Sequence, residues 1–383
     1  MNAGILLPRS NAHPEAGLDF MDGLKAFLKQ QELKNQVQFF SEHAGYGAVE
    51  KEVYEKVEKL LIIDDVDILL AYIDEKMIPV LAPLLNASGK LMIVINPGAN
   101  YSLDRVLYPN IIHLTLQHAF LCWLTGAWAG KGIDKNSLMA TTFYDCGYLH
   151  TTAMVKNFAK QGGNIMFNYV NNQLYNESFH INELTNFLQG NKETHNLLCV
   201  FDDLPASLFY NRLYQFEEAP RLHLFVSPMM LEPKALEEMH TGYPFAVRGY
   251  LPWMASAENE ENRNFIKAYG QHTKRSASFF SLLGWETGMI LEQILLHCKM
   301  YYTDGTAIVQ TLSKIKMDSP RGLLQLDVAT HYFLAPVCRC FIKQKSVIVE
   351  TEYVTNYEDE WRAFVNETTS GVVSGWTNTY LCY

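Results

Sequence analysis

The residues of this 383-residue chain best placed to do chemistry are carboxylates, tyrosines and one small-residue turn, each following a short apolar run. Tyr72-Ile73-Asp74 follows Val66 to Ala71, and Asn96-Pro97-Gly98-Ala99-Asn100-Tyr101 follows Leu91 to Ile95. Asp145-Cys146-Gly147-Tyr148 and Asp202-Asp203 stand at matching places further on. Carboxylates favour a ligand with a cationic or hydrogen-donating group. A tyrosine offers a flat apolar face and a polar tip. Proline fixes its φ and glycine opens conformations closed to other residues. Gly98, Ala99 and Asn100 therefore read as a rigid turn whose backbone donors and acceptors approach a ligand closely. Helix capping competes with these roles, because Asp74 and Asp202-Asp203 are equally placed to receive the free amides of a helix start.

No catalytic constellation accompanies them. The chain has no GxSxG elbow, no GxxxxGK[ST] phosphate loop and no HExxH metal pair, so no catalytic residue, metal or cofactor is expected. Gly45-Tyr46-Gly47 lacks the further glycine and acidic partner of a dinucleotide fingerprint and reads as a tight turn. His13, His43 and His150 are scattered and read as surface or satisfied core histidines. Seven cysteines form no framework, and Cys338-Arg339-Cys340 puts two thiols on one side of a strand without a second pair to complete a zinc spacing. All seven are expected to be reduced. A net charge of −10 without a dense basic patch argues against nucleic acid and anionic membranes as partners. No segment reaches the ~20 apolar residues of a membrane span, and Phe279 to Met300, broken by Glu286 and Glu292, reads as a long buried helix.

The elements that must position these loops alternate. Strands are expected at Asn2–Pro8, Gln36–Ser41, Val66–Tyr72 and Leu91–Ile95, with helices between them marked by Leu18/Met21/Leu24/Leu28, Val49 to Leu61, and Glu75 to Asn86. The pattern restarts after Phe120 with strands at Ser137–Tyr144, Asn164–Val170, Asn196–Phe201 and Leu222–Val226, each followed by a helix. Helices at Glu258–His272, Phe279–Met300 and Thr306–Ile315 precede strands at Ala335–Ile342 and Ser346–Val354. The tail from Asn356 to Tyr383 has no clear period. Such alternation predicts two doubly wound parallel sheets, whose ligands lie at the carboxyl ends of the strands.

Five stretches in this order, "GILLPRSNAHPEAGLDFMDGLKAFL", "VDILLAYIDEKMIPVLAPLLNASGKLMIVINPGANY", "ATTFYDCGYLHTTAMVKNFAKQGGNI", "NRNFIKAYGQHTKRSASFFSLLGWETGMILEQIL" and "SPRGLLQLDVATHYFLAPV", carry a resemblance. The chain resembles the type I periplasmic binding proteins, in the branch that binds leucine, isoleucine, valine and amides, over residues 3 to 350. The resemblance implies two α/β lobes joined by three crossing strands, near Leu114–His118, Val247–Trp253 and Leu324–Tyr332. The lobes would comprise residues 1–116 with 251–326, and 117–250 with 327–355, leaving 356–383 unplaced.

It also implies a non-catalytic site closed between the lobes around a small molecule. Tyr72 and Asp74 stand where the family has a Ser/Thr-rich turn, a departure that removes the hydroxyls. Gly98, Ala99 and Asn100 match the next contact, and Tyr148 matches the family's tyrosine after a D-x-x-Y-G-like turn. Phe201, Asp202 and Asp203 match a further contact, while the family's later acidic residue is replaced near Pro228-Met229. Three functions follow from this likeness. The chain is an exported receptor serving an ABC-transporter permease, a cytoplasmic sensor acting on a regulatory protein, or an interaction module on the same fold. It is periplasmic if a leader has been removed and cytoplasmic if Met1 is the native start, with no insertion into the membrane.

Overall fold

The computed structural model describes residues 1–47, 49–101, 106–143, 149–172, 178–232, 235–236, 244–298, 302, 304–342, 348–354 and 357–368. The first sheet has β1 (Asn2–Leu7), β2 (Gln38–His43), β3 (Ile68–Tyr72), β4 (Leu91–Asn96) and β5 (Ile111–Thr115), in the order β2-β1-β3-β4-β5. All the pairings are parallel. Every residue of β3, β4 and β5 is buried, as central parallel strands covered on both faces require. Helices α1 (Ala16–Gln30), α2 (Glu50–Glu58) and α3 (Ile78–Ser88) make the crossovers. The chain then enters α4 (His118–Lys131), which packs on the second sheet.

That sheet contains β6 (Asn136–Thr142), β7 (Asn164–Asn171), β8 (Asn196–Val200), β9 (His223–Val226) and β10 (Ala246–Leu251). They run parallel in the order β7-β6-β8-β9-β10, with α5 (Leu149–Lys160), α6 (Asn182–Gly190) and α7 (Asp203–Tyr214) between them. The chain next returns to the first unit through α8 (Glu260–Thr273), α9 (Phe279–His297) and α10 (Gly305–Leu312). A small antiparallel sheet follows, of β11 (Lys316–Ser319), β12 (Gly322–Leu326) and β13 (Phe333–Leu334). Finally β14 (Val337–Ile342) and β15 (Ile348–Val354) extend the second sheet antiparallel beyond β10. The architecture is the expected pair of doubly wound lobes, with an antiparallel edge added to the second.

The first unit is locked by a close helix pair. At the α1–α9 crossing, a Cβ on Gly23 would lie 2.0 Å from the Ser281 carbonyl oxygen, and one on Gly284 would lie 1.9 Å from that of Phe20. Only glycine permits backbones this near. Asp19 on α1 then accepts hydrogen bonds from Tyr269 Oη at 2.9 Å and Ser278 Oγ at 2.7 Å, and pairs with Arg275. This fixes α1 against both α8 and the capping box that starts α9. The helix α9 is long and apolar enough to span a membrane, yet it is almost wholly buried in the protein.

β5, β10 and β12 overlap the three expected crossing strands, while β11 and β13 fall where no strand was expected. His113 interrupts the apolar run of β5, and Arg248-Gly249 interrupts that of β10, so neither shows clean periodicity. The unplaced tail forms α11 (Tyr357–Thr368), while residues 369–383 lie outside the described residues. Most of the helix expected at Pro233–Met239 lies outside them too. Cys122, Cys199, Cys298, Cys338 and Cys340 are buried free thiols; Cys146 and Cys382 are not among the described residues.

Candidate ligand cleft

The carboxyl ends of the two sheets face each other, and Asn96 organises the first side. At the end of β4 its side-chain amide donates to the Ile73 carbonyl at 2.9 Å and to Glu75 Oε1 at 3.2 Å, while its Oδ1 accepts from the Gly98 N–H at 2.8 Å. The loops after β3 and β4 are thereby tied together. Asp74 caps the short turn Glu75–Met77, accepting from Lys76 N–H at 2.9 Å, and its other oxygen accepts from Asn100 Nδ2 at 2.8 Å. Asp74 thus takes the capping role and also ties the two loops together. Burial lifts its pKa to about 7, against the opposing pull of the Lys76 and Asn100 hydrogen bonds. Tyr72 ends β3 fully buried, edge-on to Phe20 with centroids 5.8 Å apart. Its hydroxyl has no hydrogen-bond partner among the described residues, and burial pushes its pKa up, with Glu232 adding to the effect.

The turn after β4 carries a job that sequence reasoning did not assign to it. Gly98 has φ +80°, and a Cβ there would lie 2.6 Å from the Gln117 nitrogen. The Pro97 carbonyl accepts from His118 N–H at 3.0 Å, and the Gly98 carbonyl from Ala119 N–H at 2.8 Å. The Ala99 carbonyl accepts from Leu149 N–H at 3.2 Å. These donors are first-turn amides of α4 and α5, which have no partner inside their own helices. Gln117, the residue before α4, makes no side-chain cap. The Pro-Gly turn therefore serves as a backbone cap for two helices of the second unit, and its glycine is needed because it lies flat against one of them.

From the second sheet, Asp202 follows β8 and is buried. Its Oδ1 lies 3.4 Å from His13 Nε2, in the loop after β1. His13 is 4 % exposed, tilts against Phe280 at 5.4 Å, and has Glu15 3.7 Å away. Burial alone would lower its pKa, but Asp202, with help from Glu15 and Glu232, lifts it to about 10. His13 is therefore cationic at neutral pH. It is the cleft residue that sequence reasoning missed, since an isolated histidine in a Pro-rich loop gives no spacing signal. Asp203 begins α7, and Tyr148 lies outside the described residues. The structure thus brings Tyr72, Asp74, Gly98, Ala99 and Asn100 to one side and Asp202 to the other.

Behind the cleft lie buried polar contacts within the first unit and aromatic contacts that reach the second. His113 Nδ1 lies 3.0 Å from Glu75 Oε2, and its ring stacks on Tyr332 with centroids 4.1 Å apart. Arg321 donates to both Glu286 oxygens at 2.8 Å and to the Thr115 carbonyl at 3.2 Å, joining α9, the β11–β12 turn and the end of β5. Over this face lies α11. Its buried Trp361 and Phe364 pack on Tyr101 from the first unit, and on Phe120 from the second. Trp361 also packs on Tyr332 and donates from Nε1 to Thr330 Oγ1 at 3.3 Å.

The sequence model of the periplasmic binding protein family matches residues 2–337. The chain belongs to the type I periplasmic binding proteins. Solved structures of the family share its fold over nearly the whole chain. An ABC-transporter substrate-binding protein from Sphaerobacter thermophilus is 15% identical, with a TM-score of 0.77 over 92% of this chain and 98% of its own. A solute-binding protein from R. palustris in complex with benzoate is 18% identical, with a TM-score of 0.72 over 93% of this chain and 97% of its own. A branched-chain amino acid transporter substrate-binding protein from Streptococcus pneumoniae, in complex with isoleucine, is 10% identical, with a TM-score of 0.69 over 92% of this chain and 99% of its own. No curated protein sequence matches the chain.

Proposed function

We propose that this chain is a non-catalytic, exported solute-binding protein of an ABC transporter. Residues 1–116 with 251–326, and 117–250 with 327–355, act as its two lobes. They close on an amino acid or a related small polar or amphipathic compound and present it to a permease. The observation that carries this reading is the His13–Asp202 pair, which sets a cation on one side of the cleft against an anion on the other. A zwitterionic or amphipathic ligand inserted between them exchanges one ion pair for two. Its carboxylate meets His13, and its donor group meets Asp202, assisted by Asp203. The benzoate and isoleucine held by two structural neighbours both carry a carboxylate.

In this reading Tyr72 and Asn100 complete the first side, with Asp74 holding Asn100 in place. Tyr148 closes over the ligand opposite the Gly98-Ala99-Asn100 turn. Ligand shifts a pre-existing open–closed equilibrium by binding the closed form better. The test is a thermal-shift screen over amino acids, amides, aromatic acids and small peptides. A ligand that raises Tm in the wild type and loses that effect in both Tyr148→Ala and Asp202→Asn supports the assignment. A panel without any shift points instead to an interaction module.

A further inference from the structure

The second unit carries a cavity of about 700 Å³ at the opposite end of its strands from the cleft. It is lined by the first residues of β8 and β9, by Arg248 near the start of β10, and by the last turn of α4 with the loop that follows. Asp202 lies six residues beyond Asn196, roughly 20 Å along the chain. The volume is in the usual range for small-molecule sites, roughly 300–1,000 Å³.

Arg248 is unusual for a strand arginine. Its cross-strand neighbours are Phe225 on β9 and Phe341 on β14, and its guanidinium carbon lies 5.6 and 4.7 Å from their ring centroids. Aromatic faces hold the cation without neutralising it. Its Nη1 is buried with no hydrogen-bond partner among the described residues. Asp134, which also lines the cavity, has its oxygens on the N–H groups of Asn136 and His195. A guanidinium is built to meet a planar oxyanion through paired hydrogen bonds, and here Nη1 has no acceptor among the described residues. The neighbouring wall carries Trp128, which stands edge-to-face with Phe225 and Tyr250 and has the Arg339 guanidinium 5.1 Å from its ring centroid. Ile133 is fully exposed, and Lys131 and Glu193 also line the cavity.

We infer that this cavity is a second binding site, selective for an aromatic carboxylate, with the carboxylate on Arg248 and the ring against Trp128 and Ile133. The site is separate from the cleft and does not depend on what the cleft binds.

The test uses 2-naphthoate as probe and neutral 2-naphthamide as its isostere, titrated into the full chain by calorimetry and tryptophan fluorescence. The expected result is saturable binding of the carboxylate, with the amide weaker by roughly tenfold or more. Arg248→Gln should weaken the carboxylate by a similar factor, while Asp202→Asn in the cleft leaves it unchanged. If Arg248→Gln folds poorly, His223→Glu at the exposed rim puts a like charge near the carboxylate and should weaken it several-fold. Equal binding of acid and amide, binding indifferent to both cavity variants, or binding abolished by Asp202→Asn would each overturn the assignment.

Discussion

His13 and Asp202 stand 189 residues apart in the chain and meet across the cleft, Nε2 to Oδ1, at 3.4 Å. One comes from the loop after the first strand of the first sheet, the other from the loop after β8. A buried pair of this kind depends on both partners keeping their charge, since the loss of either leaves the other uncompensated.

The pH dependence follows from the sign of the His13 shift. Its pKa in the folded protein, about 10, lies above the ordinary 6.5. The pair's contribution is therefore fully present below pH 6.5 and disappears as pH rises through about 10. Thermal unfolding followed across that window should show the wild type losing more stability than His13→Gln. Parallel curves for the two proteins would rule the pair out as a stabilising contact.

Asp74 gives a second and separate window. Its folded pKa, raised to about 7 from 3.8, means that the protonated form is preferred by the fold. Stability contributed by that preference is greatest below pH 3.8 and falls as pH rises through about 7. Asp74→Asn keeps an acceptor for Lys76 N–H and cannot ionise, so its stability should vary less between those limits. An unchanged pH slope would show that the carboxyl is not the titrating group.

Gly98 is predicted to be intolerant of a side chain. Gly98→Ala places a Cβ against the Gln117 backbone and forces φ +80° on a residue that disfavours it. A loss of about 1–3 kcal/mol in urea unfolding is expected, typical of a strained non-glycine residue. A loss below about 0.5 kcal/mol, the usual scale for neutral surface changes, would mean the turn can relax away from α4.

The Arg321–Glu286 pair should behave asymmetrically. Arg321→Met leaves the buried Glu286 carboxylate without its cation, with the Ser319 hydroxyl still donating to it, and is expected to cost about 3–5 kcal/mol. The double variant Arg321→Met/Glu286→Leu removes both charges and should cost less than the single one. A double-mutant cycle with purely additive losses would contradict this.

The thiols should all be reduced. The five described cysteines are free and buried, and Cys340 Sγ donates to the Cys338 carbonyl at 3.7 Å instead of bridging to its neighbour. Intact mass under non-reducing conditions should match seven free thiols, and a two-hydrogen deficit would show a disulfide.

Much of the fold was legible because β1, β3, β4, β8 and β9 are short apolar runs with helices of clear period between them. β5 and β10, placed only through the resemblance, hold polar residues whose burial depends on distant partners. His113 is acceptable inside β5 only because Glu75 and Tyr332 are there to receive it. Arg248 sits in β10 because Phe225 and Phe341 flank it. The same limit governs the cleft. Loop positions followed from strand ends, so Tyr72, Asp74, Asn100 and Asp202 could be named from local pattern. The role of His13 could not, because its charge depends on Asp202 in another unit. Nor could the capping role of the Pro97-Gly98-Ala99 turn, since the amides it serves belong to helices that begin well beyond it in the chain, at His118 and Leu149.

The position of α11 bears on the order in which the molecule is completed. Trp361 and Phe364 fill the space between Tyr101, Phe120 and Tyr332, and they are near the end of the described chain. During vectorial synthesis or passage through a translocation channel, both lobes are made before these two side chains emerge. Until then the cluster of aromatic rings behind the cleft lies open to solvent. A growing chain in that state presents an adhesive surface to whatever meets it first. Arrival of residues 357–368 is thus the step that converts two folded halves into one sealed body.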